Sequence, residues 1–188
     1  MVEPLASAED VAAVLGRDLT FDEYGKVDAI LLKASELFRR ESGQQFTAGS
    51  SVARIKVNGG TAYLPQRPVV DIESVIDDCG SAVEYEQTGN RLTVALSSSA
   101  FITVDYSHGG DVPDLVRLAI AEIAKKTLLV DASAEQGVTQ QTETTGSMSE
   151  SKSFAAWAIG GQTSLSPEDK ALAKSYRFRP PRVHVMVP

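Results

Sequence analysis

The chain of 188 residues contains one cysteine, two histidines and one tryptophan, and these shortages exclude whole classes of protein. Cys79 has no second cysteine with which to form an internal disulfide, and a lone thiol is typical of a reducing compartment. No apolar run approaches the roughly 20 residues that span a bilayer. Residues 1–6 lack the basic and apolar segments of a secretory signal. We therefore expect a soluble intracellular protein.

The residues that usually carry catalysis are also scarce or badly spaced. His108 and His184 lie far apart in the chain, so they predict no metal site together. Cys79 follows Asp77 and Asp78, whose negative charge disfavours a reactive thiolate. The glycine doublets are not followed by the Lys-Ser or Lys-Thr of a phosphate-binding loop. We predict no catalytic, cofactor-binding or metal-binding residues, no cofactor and no enzymatic activity.

Acidic residues outnumber basic ones by 25 to 18, which gives a formal net charge of −7. The imbalance lies in the body of the chain, because no acidic residue follows Asp169, whereas Arg179 and Arg182 lie near the C-terminus. General nucleic-acid binding requires a clustered basic face, so this distribution argues against it.

The sequence of the N-terminal part predicts two helices. Ser7 and Asp10 predict a capping box, and Gly16 suits a left-handed helix end. Thr20 and Glu23 predict a second capping box. After it, apolar residues recur with the period of one helix face up to Gly43. They are Val27, Ile30, Leu31, Ala34, Leu37 and Phe38.

The pattern changes to a period of two after residue 49. Short strands are predicted at 53–57, 62–64, 69–76, 83–86, 92–96 and 101–106, separated by turn residues. Pro65 and Pro68 exclude a central strand at the corner between them. Strands at this spacing favour a small antiparallel sandwich or barrel inserted between helices.

Two further helices are predicted after this β region, from Pro113 to near Asp131 and from a cap at Ser166 through Tyr176. The polar segment 132–163 between them shows no clear period and is interpreted as a long loop. Pro180 and Pro181 forbid a helix, so the C-terminus is predicted to be extended. The predicted fold class is α+β, with about four bundled helices, an inserted small antiparallel β domain, a long loop and an extended tail.

The predicted domains are therefore four. Residues 1–48 form the N-terminal helices, 49–112 the inserted β domain, 113–177 the C-terminal helices with loop 132–163, and 178–188 the extended tail.

Four stretches of sequence resemble the head-to-tail adaptor family of long-tailed bacteriophages, also called connector or head-completion proteins. They are Leu5–Arg17 with the amphipathic helix up to Gly43, Tyr63–Val70 leading into Ile72–Val75, Val104–Gly110, and Val112-Pro113 with the following helix. The likeness covers nearly the whole chain, although each motif is short. The β insertion departs from the smaller, all-helical adaptors.

The resemblance implies a structural virion protein that forms a ring, expected to contain twelve subunits, between the portal of the filled head and the stopper or tail-completion protein. It implies that genomic DNA passes through the lumen without sequence-specific binding and that no membrane is involved. The protein would occupy the head–tail neck of the virion, and the host cytoplasm during assembly.

The predicted portal-binding residues lie in the tail, where valines alternate with other residues at the period of a strand and arginines precede them. They are Arg177, Phe178, Arg179, Arg182, Val183, Val185 and Val187. An unpartnered, frayed terminus is the alternative. Phe154, Trp157 and Ile159 are predicted to contact a neighbouring subunit, or else to fold back onto their own core.

Two other functions remain open from sequence. One is a cellular β-sandwich binding module with a helical collar that recognises a peptide or a small ligand. The other is an enzyme without a recognisable motif. A ring in negative-stain images favours the adaptor, whereas a compact monomer favours the binding module.

Overall fold

The computed structural model describes residues 3–96, 100–130, 140–145, 148–153 and 163–179. Within them the chain divides into a helical unit, formed by residues up to 41 and by 113–175, and a β unit, formed by 42–112 with 176–179. The α+β class with an inserted antiparallel β region is confirmed. Among the described residues, no helix has the length and apolar character needed to cross a membrane.

The helical unit contains α1 (Ala8–Leu15), α2 (Phe21–Ser42), α3 (Asp114–Leu128) and α4 (Pro167–Ser175). The capping box at Ser7 is confirmed, because its hydroxyl accepts from the Asp10 backbone while the Asp10 carboxylate accepts from the Ser7 backbone. Gly16 ends α1 in the left-handed conformation, as predicted. The Thr20–Glu23 box is present in the same two-way form.

Side chains on one face of each helix form the core of this unit. Val27, Leu31, Ala34 and Phe38 of α2 are buried, as the helical period predicts. The N-terminal segment lies along the second half of α2, where Ser35 accepts from the Leu5 backbone N–H at 2.9 Å. Lys125 of α3 donates to the Val14 carbonyl at 3.0 Å and thereby joins α3 to α1.

The β unit consists of two antiparallel three-stranded sheets. The first has the order β1 (Gly49–Lys56), β6 (Phe101–His108), β3 (Val69–Asp77). The second has the order β2 (Thr61–Tyr63), β5 (Arg91–Val94), β4 (Tyr85–Thr88). The chain moves from the first sheet to the second through the turn at Gly59 and Gly60, both with positive φ. Side chains from the two sheets meet in one apolar cluster, as a small sandwich requires.

Alternation decides which side chains enter that cluster. Ile102, Val104 and Tyr106 of β6 are buried, whereas the residues between them are half-exposed. Because the side-chain period of a strand is two, β6 presents one face to the core, which is apolar up to Tyr106 and ends in the buried His108. Leu92 and Val94 of β5 contribute from the other sheet in the same way.

Segment 132–163, interpreted from sequence as a loop, contains a hairpin. It consists of β7 (Gln140–Thr145) and β8 (Met148–Ser153), paired antiparallel from Gln140–Ser153 to Thr145–Met148. Neither strand alternates apolar with polar residues, so the period-two signal is absent. The threonines of β7 are β-branched and suit a strand, but this propensity is a weaker signal than hydrophobic alternation.

Candidate interaction site on the β unit

The corner between β2 and β3 is held by the side chain of a buried glutamine. The amide nitrogen of Gln44 donates to the Pro65 carbonyl at 2.8 Å, and its amide oxygen accepts from the Arg67 backbone N–H at 3.0 Å. Pro65 and Pro68 have no backbone N–H, so this segment cannot complete a strand ladder. The side-chain amide supplies the hydrogen bonds that a neighbouring strand would otherwise make.

Gln66 ties the same corner to the preceding segment and to the core. Its side chain accepts from the Gln45 backbone at 2.9 Å and donates to the Gly43 carbonyl at 3.0 Å. Its backbone N–H donates to the hydroxyl of the buried Tyr106 at 3.1 Å. Burial raises the pKa of Tyr106, so the phenol stays protonated near neutral pH.

The Gly109-Gly110 turn contacts this corner from the end of β6. Gly109 donates to the Pro68 carbonyl at 2.9 Å, and Gly110 donates to the Phe46 carbonyl at 3.2 Å. A Cβ atom on Gly109 would overlap the Thr47 carbonyl, and the φ of Gly109 is +80°. Only glycine therefore satisfies both the backbone conformation and the close approach.

Phe46 and Tyr63 form the surface that receives the chain after α4. Phe46 has a φ of 66°, an uncommon conformation for a bulky residue. Its buried ring meets the ring of Tyr176 edge-on, with centroids 5.4 Å apart. The ring of Phe178 lies against Tyr63 with centroids 6.1 Å apart.

Arg67 adds a polar contact to these two aromatic pairs. Its guanidinium donates to the Tyr176 carbonyl at 2.9 Å. We call the set of Phe46, Tyr63 and Arg67 with Tyr176 and Phe178 the tail anchor. It holds Tyr176 and Phe178 on the β unit.

Arg67 belongs to the tail anchor, and three more arginines lie beside it. Arg177 and Arg179 are exposed on either side of Phe178, and Arg67 is itself exposed. Arg91 lies directly opposite Tyr63 in the β2–β5 pairing, and directly opposed residues share one face of a sheet. Within the described residues, none of these four guanidinium groups forms an ion pair with a carboxylate. This arginine cluster is therefore available to an acidic partner.

The structure describes only part of the portal-binding set predicted from sequence. Arg177 and Arg179 are exposed, whereas Phe178 is half-buried against its own chain. Arg182, Val183, Val185 and Val187 lie outside the described residues, as do Phe154, Trp157 and Ile159. Sequence reasoning did not assign a role to Phe46, Tyr63, Arg67, Arg91 or Tyr176. The nearest signal was the Tyr63–Val70 motif, which contains two members of the anchor.

Cys79 and the two acidic residues before it lie at the end of β3 and in the turn after it. The Asp77 carboxylate accepts from the backbone of Cys79 and of Ser81, each at 2.8 Å, which closes the turn after β3. Asp78 pairs with Arg54 at 3.0 Å. In the described ranges, no three His, Cys, Asp or Glu side chains cluster at metal-ligand spacing.

His108 is a buried residue at the end of β6. Its Nε2 lies 2.8 Å from the Ser51 hydroxyl, and its ring is 5.5 Å from that of Tyr106. Burial lowers its pKa, so the neutral ring is favoured at neutral pH. The geometry is that of a buried core histidine.

Comparison with known proteins identifies no family. No protein-family model and no curated protein matches the sequence. Several chains of solved structures match. One belongs to a structure described as the neck of an empty GTA particle computed with C6 symmetry, with 16% identity and a TM-score of 0.49 over 66% of this chain and 77% of that chain. At this level of similarity, function must be argued from the residues of this chain.

Proposed function

We propose that this protein is a head-to-tail adaptor of a tailed-phage-like particle, a structural protein without enzymatic activity. It forms a ring, expected to contain twelve subunits, between the portal and the stopper or tail-completion protein, and DNA passes through the ring. Its place is the neck of the virion, which it reaches from the host cytoplasm during assembly.

One observation carries this proposal. Two of the stretches that resemble the adaptor family, Tyr63–Val70 and Val104–Gly110, meet at one end of the β unit. The C-terminal segment is attached to that same end through Tyr63 and Arg67. The shared motifs therefore build the base from which the proposed portal-binding tail departs.

The charge of the chain supports the same function. The formal net charge of −7 opposes tight binding of DNA that must slide through a lumen. The arginine cluster is a local exception to this acidic character and surrounds the base of the tail. The proposed function needs both features. The arginine cluster would contact an acidic portal surface, and the acidic body would let DNA pass without holding it.

The tail remains the proposed portal contact, and Arg177, Arg179, Arg182, Val183, Val185 and Val187 its residues. Phe178 remains a proposed contact as well, and its ring also lies against Tyr63 in the tail anchor. Phe154, Trp157 and Ile159 remain the proposed contacts with a neighbouring subunit.

Binding to portal-containing, DNA-filled heads tests the proposal. The full chain is expected to co-sediment with the heads and to add a ring below the portal in negative-stain images. A chain that lacks 180–188 keeps Tyr176 and Phe178, so it is expected to fold normally and to fail to attach. The matched control is Lys56→Ala, an exposed basic residue on β1, which is expected to attach like the full chain.

Two results would refute this function. The first is a full chain that remains a compact monomer and binds no heads, the outcome expected for a peptide-binding module. The second is normal attachment of the chain without 180–188, which would place the portal contact elsewhere.

A further inference from the structure

The first half of α2 carries an exposed apolar stripe besides its buried face. Phe21 is 92% exposed, and Tyr24 and Leu32 are also exposed. With Asp28 they follow one another at intervals of three, four and four residues, which places all four on one face of a helix. We call these residues the α2 stripe. It is separate from the core face that contains Val27 and Leu31.

A second stripe runs along α3 and ends at Leu129, the residue that caps the C-terminus of this helix. Leu115, Leu118 and Leu129 are each more than half exposed. Together with Glu122 and Lys125 they recur at intervals of three, four, three and four residues. This is the spacing of helices that pair along a seam, in which occasional polar residues set the register. We call these five residues the α3 stripe.

The two stripes match each other in length. Phe21 and Leu32 are eleven residues apart, and so are Leu118 and Leu129. At about 1.5 Å per residue, each pair spans about 16 Å. If the helices run parallel with Phe21 beside Leu118, then Leu32 lies beside Leu129. Both ends of the contact then bury apolar side chains.

The charges between those ends select this direction. In the parallel register Asp28 lies beside Lys125, and Tyr24 lies one residue before the level of Glu122, whose carboxylate accepts hydrogen bonds. In the antiparallel register Asp28 would lie beside Glu122, and like charges at a packed contact are unfavourable. Asp28 forms no ion pair with any residue of the described ranges. Lys125 bonds the Val14 carbonyl with one of its three donors and lies 4.0 Å from Glu122.

We propose that the α2 stripe of one copy packs parallel to the α3 stripe of the next copy of this chain. Because the two stripes differ, each copy offers one stripe to each neighbour, and such a head-to-tail contact generates a ring when its rotation closes. The proposal rests on the ring of the proposed function and assigns its subunit contact in the helical unit.

Disulfide trapping in the isolated protein tests this pairing. In a Cys79→Ser background, Phe21→Cys and Leu118→Cys are combined in one chain and oxidised. Since a disulfide captures even brief contacts, a stable ring is not required. The expected result is a ladder of dimers, trimers and higher species on a non-reducing gel. The pair Leu32→Cys with Leu129→Cys is expected to give the same ladder, because it matches the other end of the register.

Three controls make the test specific. Each single cysteine variant is expected to form no ladder, and a mixture of the two single variants is expected to stop at dimers. The antiparallel pair, Phe21→Cys with Leu129→Cys, is expected to give no ladder. All substituted side chains are exposed, and thermal melting is expected to stay within a few degrees of the Cys79→Ser parent.

The outcomes separate this proposal from the adaptor function. The stripe pairing is overturned if the two parallel double-cysteine variants fold normally but form no more cross-linked oligomer than the antiparallel variant. This holds even if the protein binds heads. A stronger ladder from the antiparallel pair overturns it as well. A ladder from both parallel pairs in a protein that binds no heads supports the pairing and refutes the adaptor.

Discussion

The ring of Phe178 lies against the ring of Tyr63, with centroids 6.1 Å apart and planes inclined by 37°. The two residues are separated by more than half of the chain, yet the contact belongs to the β unit alone. It places Phe178 against β2, an edge strand of its sheet, two residues before the proline pair Pro180-Pro181. A tail that starts from a fixed point loses less conformational freedom when it binds a partner.

Removal of this aromatic contact is expected to loosen the C-terminal segment. Phe178→Ala should lower the free energy of unfolding of the β unit by about 1 kcal/mol, the usual value of an aromatic pair. It should also speed trypsin cleavage after Arg177, because the segment is no longer held on Tyr63. Cleavage rates followed by mass spectrometry measure the effect.

Tyr85→Ala serves as the control for this prediction, because Tyr85 is an exposed aromatic on the edge strand β4. It should change neither the stability nor the cleavage rate appreciably. Equal cleavage rates in Phe178→Ala and in the unmodified chain would mean that the anchor does not hold the segment in solution.

Alanine substitutions at Gly109 and Gly80 test the close approach of Gly109 to the Thr47 carbonyl. Both glycines have a φ near +80°, but a Cβ atom would overlap the Thr47 carbonyl only at Gly109 and would meet nothing within 4 Å at Gly80. Gly80→Ala should cost about 1 kcal/mol from the backbone conformation alone. Gly109→Ala should cost about 3 kcal/mol, since the overlap adds to it. Urea unfolding of both variants checks the difference, and equal losses would refute the close approach.

Local signals predicted most elements of this fold. The capping boxes at Ser7 and Thr20 and the stop at Gly16 involve residues close in sequence, so their chemistry is visible without tertiary structure. The buried faces of α2 and β6 follow from periodicity for the same reason. The structure confirms these elements with small shifts at their ends.

The candidate site was less predictable because its contacts are distant in sequence. Arg67 and Tyr176 are 109 positions apart, and no local pattern connects them. The exposed stripes were also missed, because periodicity identifies apolar residues on a helix without showing which face the rest of the fold covers. Phe21, for example, precedes the predicted core face of α2 and is almost wholly exposed.

The Arg17–Glu23 ion pair predicts an acid-dependent loss of stability. Arg17 donates two hydrogen bonds to the Glu23 carboxylate, at 2.7 and 2.8 Å, and these lower the pKa of Glu23 to about 2. A carboxylate whose pKa is lower in the folded state stabilises the fold fully at pH values above its ordinary pKa near 4.5. That stabilisation is lost as the pH falls toward 2. Urea unfolding at pH 7 and at pH 3 should therefore show a smaller decrease for Glu23→Gln than for the unmodified chain. Equal pH dependence would show that the pair does not contribute in solution.

Arg91 lies opposite Tyr63 and beside the tail anchor. An exposed charge at the rim of an interface acts mainly on the association rate and its salt dependence. Arg91→Ala should slow association with portal-containing heads by roughly twofold to tenfold at low ionic strength. The difference should shrink at high salt, where exposed charges are screened. Lys56→Ala, which removes an exposed positive charge on β1 and leaves the arginine cluster intact, should leave the rate nearly unchanged.

If both substitutions slowed association equally, net charge would govern the encounter. The arginine cluster would then have no special part in directing the tail to its partner.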